Sequence, residues 1–208
     1  MSVEKYLSDE GIKSFLDAVD MVLNSNTFLL YIPEANLQMP TFQWQNHVRA
    51  YIGSDSFDQD LVQQDILRKW NNFTRSKSTS KCFKRKNEVQ LKTSFIPLPY
   101  LEAMLTDERV IEIPETQSIF YSPYNKGIET KQAKNLVKNF INALFGESFW
   151  QLWTVNPDFL YSKGDIRKLG QPVNFLAYFM GSDCLATDSA SLLINDQKAF
   201  LLLTNGVD

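Results

Sequence analysis

The chain has 208 residues, of which 44% are hydrophobic and 13% aromatic, and its 24 acidic and 21 basic side chains give a net charge of −3. Such a composition supports a sizeable aromatic core and differs from that of disordered chains. No apolar run approaches the roughly 18–20 residues that span a bilayer, and no basic region followed by an apolar one opens the chain. We therefore expect a cytoplasmic protein without a membrane partner.

The N-terminal third predicts two helices on either side of a buried strand. Ser8-Asp9-Glu10 precedes apolar residues at helical spacing up to Leu23, which indicates a helix behind an N-cap with acids in its first turn. Thr27–Ile32 is a short apolar run that ends before a proline, which is typical of a buried strand. Residues 34–56 show no clear pattern. Asp58–Asn71 is the second predicted helix, because its apolar residues recur every four positions.

The middle of the chain predicts a strand and two helices. Glu88–Ile96 alternates apolar and polar residues, as a half-buried strand does. Tyr100–Leu105 is a short predicted helix, and Glu129–Phe145 is the clearest helix of the chain. Thr130 is its expected N-cap, and Gly146 follows its end. Two further short strands are predicted at residues 109–113 and 118–121.

The C-terminal third is rich in strand-forming residues. A tight turn at Asn195-Asp196-Gln197 joins the last two strands as a hairpin. We expect an antiparallel C-terminal meander with helices on one face. The fold class is therefore α+β, a single domain over residues 1–208, with three or more helices packed on an antiparallel sheet. The predicted strands are Phe149–Val155, Asn174–Met180, Ser191–Ile194 and Lys198–Leu203.

The strongest sign of a function is the basic segment, residues 68–92. It contains nine basic residues and one acid, whereas the residues before it carry a net charge of −7 and those after it −4. Cations interleaved with aromatic rings can hold single-stranded nucleic acid, and the same charge suits an acidic protein surface or merely solvent. The predicted contact residues are Arg68, Lys69, Trp70, Phe73, Arg75, Lys77, Lys81, Phe83, Lys84, Arg85 and Lys86.

Two further surfaces could take part in binding. The stretch 114–125 places Phe120, Tyr121 and Tyr124 around a proline, and tyrosine-rich loops are common in protein recognition. On the polar side of the helix at residues 129–145, three lysines lie within about 60° of one another and would extend a nucleic-acid groove. These are Lys131, Lys134 and Lys138.

No pattern in the sequence predicts catalysis, a metal site or a cofactor. His47 is the only histidine, and neither Cys82 nor Cys184 has a neighbouring thiol with which to bind zinc. A metal-dependent hydrolase or nuclease would have to combine Asp158 with the D-x-K string Asp196-Gln197-Lys198. That enzyme is our third hypothesis, and we expect no catalytic residue and no cofactor.

One short string resembles a known family. Leu152–Leu160 (LWTVNPDFL) is similar to the W-x-V-N-P-[DE] string in GAD-like domains of some bacterial toxin-immunity proteins, over nine residues. The resemblance implies an interaction protein. We therefore predict a non-enzymatic module, of the inhibitor or immunity type, that binds another protein stoichiometrically. The alternative is a nucleic-acid-binding protein that uses the basic segment.

Overall fold

The computed structural model describes residues 3–23, 25–68, 91–93, 97–106, 126–155 and 189–206. Within these ranges the chain forms three pairs of helices, each followed by a strand, and then two further strands. The helices are α1 (Val3–Leu7), α2 (Glu10–Leu23), α3 (Thr41–Ile52), α4 (Asp55–Arg68), α5 (Pro97–Ala103) and α6 (Thr130–Phe145). The strands are β1 (Ser25–Ile32), β2 (Leu91–Thr93), β3 (Trp150–Val155), β4 (Ser189–Asn195) and β5 (Ala199–Gly206).

The five strands form one antiparallel sheet in the order β1-β5-β4-β3-β2. Strands β3, β4 and β5 are the predicted meander, which confirms the α+β class with a C-terminal antiparallel sheet. The N-terminal strand β1 adds to β5 over eight pairs, from Ser25 opposite Gly206 to Ile32 opposite Ala199. The first and last strands of the described chain are therefore neighbours.

Helices cover the sheet on two faces, so the expectation that they pack on one face was wrong. Successive residues of a strand point to opposite faces. On β5, Leu202 packs with one hydrophobic cluster, whereas Leu201 and Leu203 pack with the other. The unbroken apolar runs of β1 and β5 are therefore the mark of strands buried on both faces, because a strand with one wet face would alternate.

One face carries the four-helix layer, made of α1, α2, α5 and α6. Its centre is the contact of α2 with α6, where the rings of Phe15 and Phe140 stack with centroids 4.1 Å apart. Asp9 caps α2, because its Oδ1 accepts the backbone N–H of Gly11 at 2.8 Å. A Cβ on Gly11 would lie 2.9 Å from the backbone oxygen of Asn139, so glycine permits this close approach.

The other face carries the two-helix layer, made of α3 and α4. Helix α3 lies within residues 34–56, where the sequence shows no clear pattern. Its buried residues are Trp44, Val48, Tyr51 and Ile52. Their spacing of four, three and one residues is that of a helix face, so the signal was present but was masked by the polar residues between them.

The two layers meet at the outer edge of β1. There side chains hydrogen-bond to backbone groups that another strand would otherwise bind. Gln64 of α4 is fully buried, and its Oε1 accepts the backbone N–H of Leu29 at 3.0 Å. The Gln64 Nε2 and the Tyr6 hydroxyl both donate to the carbonyl oxygen of Leu29. The backbone of Tyr31 also hydrogen-bonds to Tyr6. This stretch of the edge is therefore satisfied internally and closed to another strand.

Two buried tyrosines link α1, α3 and α4. The hydroxyl of Tyr51 donates to Oδ2 of Asp60 at 2.6 Å, which joins α3 to α4. Burial raises the pKa of Tyr51 above its ordinary value, and the hydrogen bond to Asp60 raises it further. Burial likewise raises the pKa of Tyr6. Both hydroxyls therefore remain protonated donors in the folded protein at neutral pH.

Several element boundaries differ from the predictions. Helix α4 begins three residues earlier than predicted, and α5 begins at Pro97 rather than Tyr100. The N-cap of α6 is Glu129, not Thr130, and its side chain makes no capping hydrogen bond. Gly146 ends this helix as expected, with φ of 64°. The strands predicted at 109–113, 118–121 and 174–180 lie outside the described residues.

Candidate binding pocket

Of the contact residues predicted in the basic segment and in the stretch 114–125, Arg68 alone lies in the described part of the chain. Its Nη2 is 3.0 Å from Oδ1 of Asp17 and 2.5 Å from Oδ2 of Asp20, and its side chain is 9% exposed. The arginine thereby ties the end of α4 to α2 and has a structural role. The other predicted contacts lie outside the described residues and stay predictions: Lys69, Trp70, Phe73, Arg75, Lys77, Lys81, Phe83, Lys84, Arg85, Lys86, Phe120, Tyr121 and Tyr124.

An open pocket of about 520 Å³ lies on the side of the sheet that carries the two-helix layer. It is bounded by the start of α3, the start of β3 and the β4–β5 hairpin. The loop that leads into α3 lines it with Leu37 and Met39. The backbone N–H of Leu37 donates to the carbonyl oxygen of Asn195 at 2.7 Å, so this loop is tied to the hairpin across the pocket's edge.

Aromatic side chains form the wall of the pocket. Trp44 of α3 is almost fully buried, and Trp153 of β3 meets it edge to face with centroids 5.0 Å apart. The Trp153 Nε1 donates to Oε1 of Gln151 at 3.0 Å, which fixes the orientation of the indole. Phe149, just before β3, also lines the pocket and is 73% exposed. The wall is therefore rigid at its base and open to solvent at its mouth.

The rim is polar, and the lining residues that the structure describes carry one charge. Thr41, the first residue of α3, and Gln151 supply uncharged polar groups, and Asp196 supplies the charge. Asp196 is exposed at the tip of the hairpin, where Oδ1 of Asn195 accepts the backbone N–H groups of Gln197 and Lys198, each at 2.9 Å. The turn is thus held by Asn195, which leaves the Asp196 carboxylate available at the rim.

Lys198 belongs to the same hairpin but faces the four-helix layer. Its Nζ lies 6.0 Å from the ring centroids of Phe145 and Phe200, and burial lowers its pKa. The D-x-K string therefore lies on a hairpin turn. Its two charged side chains have different environments, because Asp196 lies at the pocket rim and Lys198 lies against the four-helix layer. Asp158, the second carboxylate of the nuclease hypothesis, lies outside the described residues.

Part of the enzyme hypothesis concerns residues that the structure describes. His47 is half-buried on α3. No group of three histidine, cysteine or acidic side chains in the described ranges could hold a metal ion. Nor does any helix in those ranges have the length and hydropathy to cross a bilayer. Cys82 and Cys184 fall in stretches that are not described.

The outer face of α6 is basic, as the sequence predicted. Lys131, Lys134 and Lys138 are exposed, and the helix contains no acidic residue. Ala133 and Val137 lie on the buried side of the same helix. The position of this face relative to the basic segment falls outside the described structure.

No protein-family model, no curated protein and no solved structure matches this chain. The resemblance of Leu152–Leu160 to GAD-like domains therefore remains confined to that string. Its first four residues belong to β3, and the rest are not described.

The sequence predicted β3 and the β4–β5 hairpin, which form part of the pocket, but it predicted neither α3 nor the pocket itself. Phe149, Gln151 and Trp153 alternate along β3 and were recognisable as one face of a strand. Nothing local to that strand says that Trp44, more than a hundred residues away in the sequence, would pack against Trp153 and complete the aromatic wall. The site depends on the pairing of distant elements.

Proposed function

We propose that this protein is a non-catalytic binding module for another protein and that the pocket beside α3 is a contact surface. The observation that carries the proposal is Phe149, which is 73% exposed at the mouth of a pocket walled by Trp44 and Trp153. Burying a phenylalanine side chain in a complex is worth about 1.5–3 kcal/mol. Interfaces commonly centre on such aromatic anchors.

The geometry favours a polypeptide partner over a small metabolite. The pocket is open, and its base has a fixed indole orientation through the bond from Trp153 to Gln151. A preformed apolar surface with a few polar groups at its rim orders little on binding, which lowers the entropic cost of association. An inhibitor or immunity-type protein in the cytoplasm, acting by stoichiometric binding, would use a surface of this kind.

The test is recovery of a partner from the native host with the full chain as bait. Phe149→Ala should lose the partner. Phe42→Ala is the matched control, because Phe42 is 69% exposed on α3 but does not line the pocket. If both variants recover a stoichiometric partner equally well, or if the parent protein recovers none, the proposal is wrong.

A second function is favoured by positive charge. The basic segment carries a surplus of it, and the exposed face of α6 carries lysines and no acidic residue. We propose nucleic-acid binding as the alternative. Phosphate contacts release counterions, so affinity for a single-stranded RNA should fall steeply with salt. Reversing the charges of Lys84, Arg85 and Lys86 should abolish binding with little change in thermal stability. Binding that does not depend on salt would eliminate this alternative.

A further inference from the structure

The chemistry of the pocket points to a particular kind of side chain. Its walls are apolar and aromatic, and among the described residues that line it Asp196 is the single charged one. No basic residue is among the lining residues in the described chain. A concave site with aromatic faces and one carboxylate complements a cation that has an apolar stem.

The start of α3 weakens this negative charge without reversing it. Thr41 lines the pocket as the first helical residue, and Pro40 before it offers no side-chain cap. A helix N-terminus carries roughly half a positive charge, whereas the carboxylate of Asp196 carries a full negative one. The charge at the rim therefore stays negative, and an anionic side chain would meet Asp196 unfavourably.

Arginine suits this arrangement better than lysine does. A guanidinium group is planar, stacks on aromatic faces, and is less strongly hydrated than an ammonium group. It can also donate two parallel hydrogen bonds to one carboxylate. The guanidinium can stack on the faces of Phe149 and Trp153, and it can donate hydrogen bonds to Asp196 at the rim. Leu37 and Met39 offer apolar contact for the methylene stem.

We infer that the pocket recognises an arginine side chain in an exposed segment of the partner protein, with the guanidinium between the aromatic wall and Asp196. The inference rests on the proposed function, because it names the partner residue that enters the same pocket. The pocket of about 520 Å³ also has room for residues beside the arginine, so a short peptide stretch is the unit that it holds.

The probe is N-acetyl-arginine amide, titrated into the full chain and followed by nitrogen–proton NMR signals of the tryptophan indoles. The comparators are N-acetyl-citrulline amide, which has the same shape without the charge, and N-acetyl-leucine amide, which is only apolar. The arginine derivative should shift the Trp153 indole signal with millimolar affinity. The citrulline and leucine derivatives should bind about tenfold more weakly or not at all, because a charged hydrogen bond is lost.

Two variants test whether the Asp196 carboxylate is the negative charge that binds the arginine probe. Asp196→Asn should weaken binding of the arginine probe about five- to tenfold and leave the weak binding of the citrulline probe unchanged. The hairpin should survive the substitution, since Asn195 holds the turn. Glu4→Gln, which removes an exposed acid on α1 in the other layer, should have no effect.

The outcomes separate this inference from the proposed function. If no probe shifts the Trp153 signal, if citrulline or leucine binds as well as arginine, or if Asp196→Asn changes nothing, arginine recognition is overturned. A partner that is still lost with Phe149→Ala would then leave the protein-binding proposal standing. Conversely, selective binding of arginine without any host partner would remove the proposed function while keeping the pocket's specificity.

Discussion

The two helical layers of this protein cover the sheet to different extents. In the four-helix layer, α2 and α6 approach so closely that Gly11 nearly touches the backbone of Asn139, and Phe15 stacks on Phe140. In the two-helix layer, α3 begins beside β3 and leaves Trp153 only half-buried. Phe149, just before that strand, is left largely in solvent.

This difference assigns stability mainly to the four-helix layer and binding to the open end of the two-helix layer. Residues of the four-helix layer are tightly packed, so a substitution there should lower the free energy of unfolding. Residues at the open end of the two-helix layer have solvent on one side and can change with little effect on folding. An aromatic residue that the fold leaves exposed is consequently a better guide to function than an aromatic residue that it buries.

Replacing one phenylalanine in each layer should give the largest contrast. Phe140→Ala should lower the free energy of unfolding by about 3–5 kcal/mol, because it leaves a cavity against Phe15. Phe149→Ala should change it by less than about 0.5 kcal/mol, because the ring is exposed. Denaturant unfolding measures both. Similar losses for the two variants would show that the layers do not divide stability from binding.

The close approach of α2 and α6 gives the next largest expected effect. In Gly11→Ala, the new methyl group would lie 2.9 Å from the Asn139 oxygen and must push the helices apart, at about 1–3 kcal/mol. Gly53→Ala is the control, because Gly53 has an ordinary φ of −79° and its nearest neighbour would be at 3.4 Å. A thermal shift that is equal for the two variants would contradict the tight packing of this layer.

A substitution at Gln64 tests the hydrogen bonds that join α4 of the two-helix layer to the edge of β1. Gln64→Leu should cost about 1–3 kcal/mol, since the buried N–H of Leu29 would lose its acceptor. Gln63→Leu makes the same change at an exposed neighbouring position and should cost less than about 0.5 kcal/mol. Exposure of the freed edge should also promote association, which light scattering would detect. Equal unfolding midpoints would refute the role of Gln64.

At neutral pH the smallest effect is that of the buried tyrosine hydroxyls on the pH dependence, which emerges only in alkaline solution. Burial holds the pKa values of Tyr6 and Tyr51 above the ordinary value near 10, so the unfolded chain releases these protons first as pH rises. Their contribution to stability is complete below pH 10 and declines above it, by at most about 1.4 kcal/mol per pH unit for each tyrosine. The double variant Tyr6→Phe, Tyr51→Phe should therefore lose stability less steeply above pH 10. An unchanged slope would refute the assignment.

Local patterns were sufficient wherever an element carries its own signal. The apolar spacing of α2, the run of β1, the hairpin at Asn195 and the glycine that ends α6 were all predicted and are present. Helix boundaries moved by a few residues, because capping depends on backbone geometry that residue type only suggests. Helix α3 was missed, because one buried residue in three or four is a weak pattern among polar neighbours.

The sequence by itself determined the α+β class, the C-terminal meander and the basic face of α6, since each follows from spacing within a few turns or a few strand residues. Only the tertiary structure decided that helices cover both faces of the sheet and that Gln64 closes the edge of β1. It alone also brought Trp44, Trp153 and Asp196 around one pocket. Those features join residues far apart in the chain, and such contacts depend on how whole elements pack.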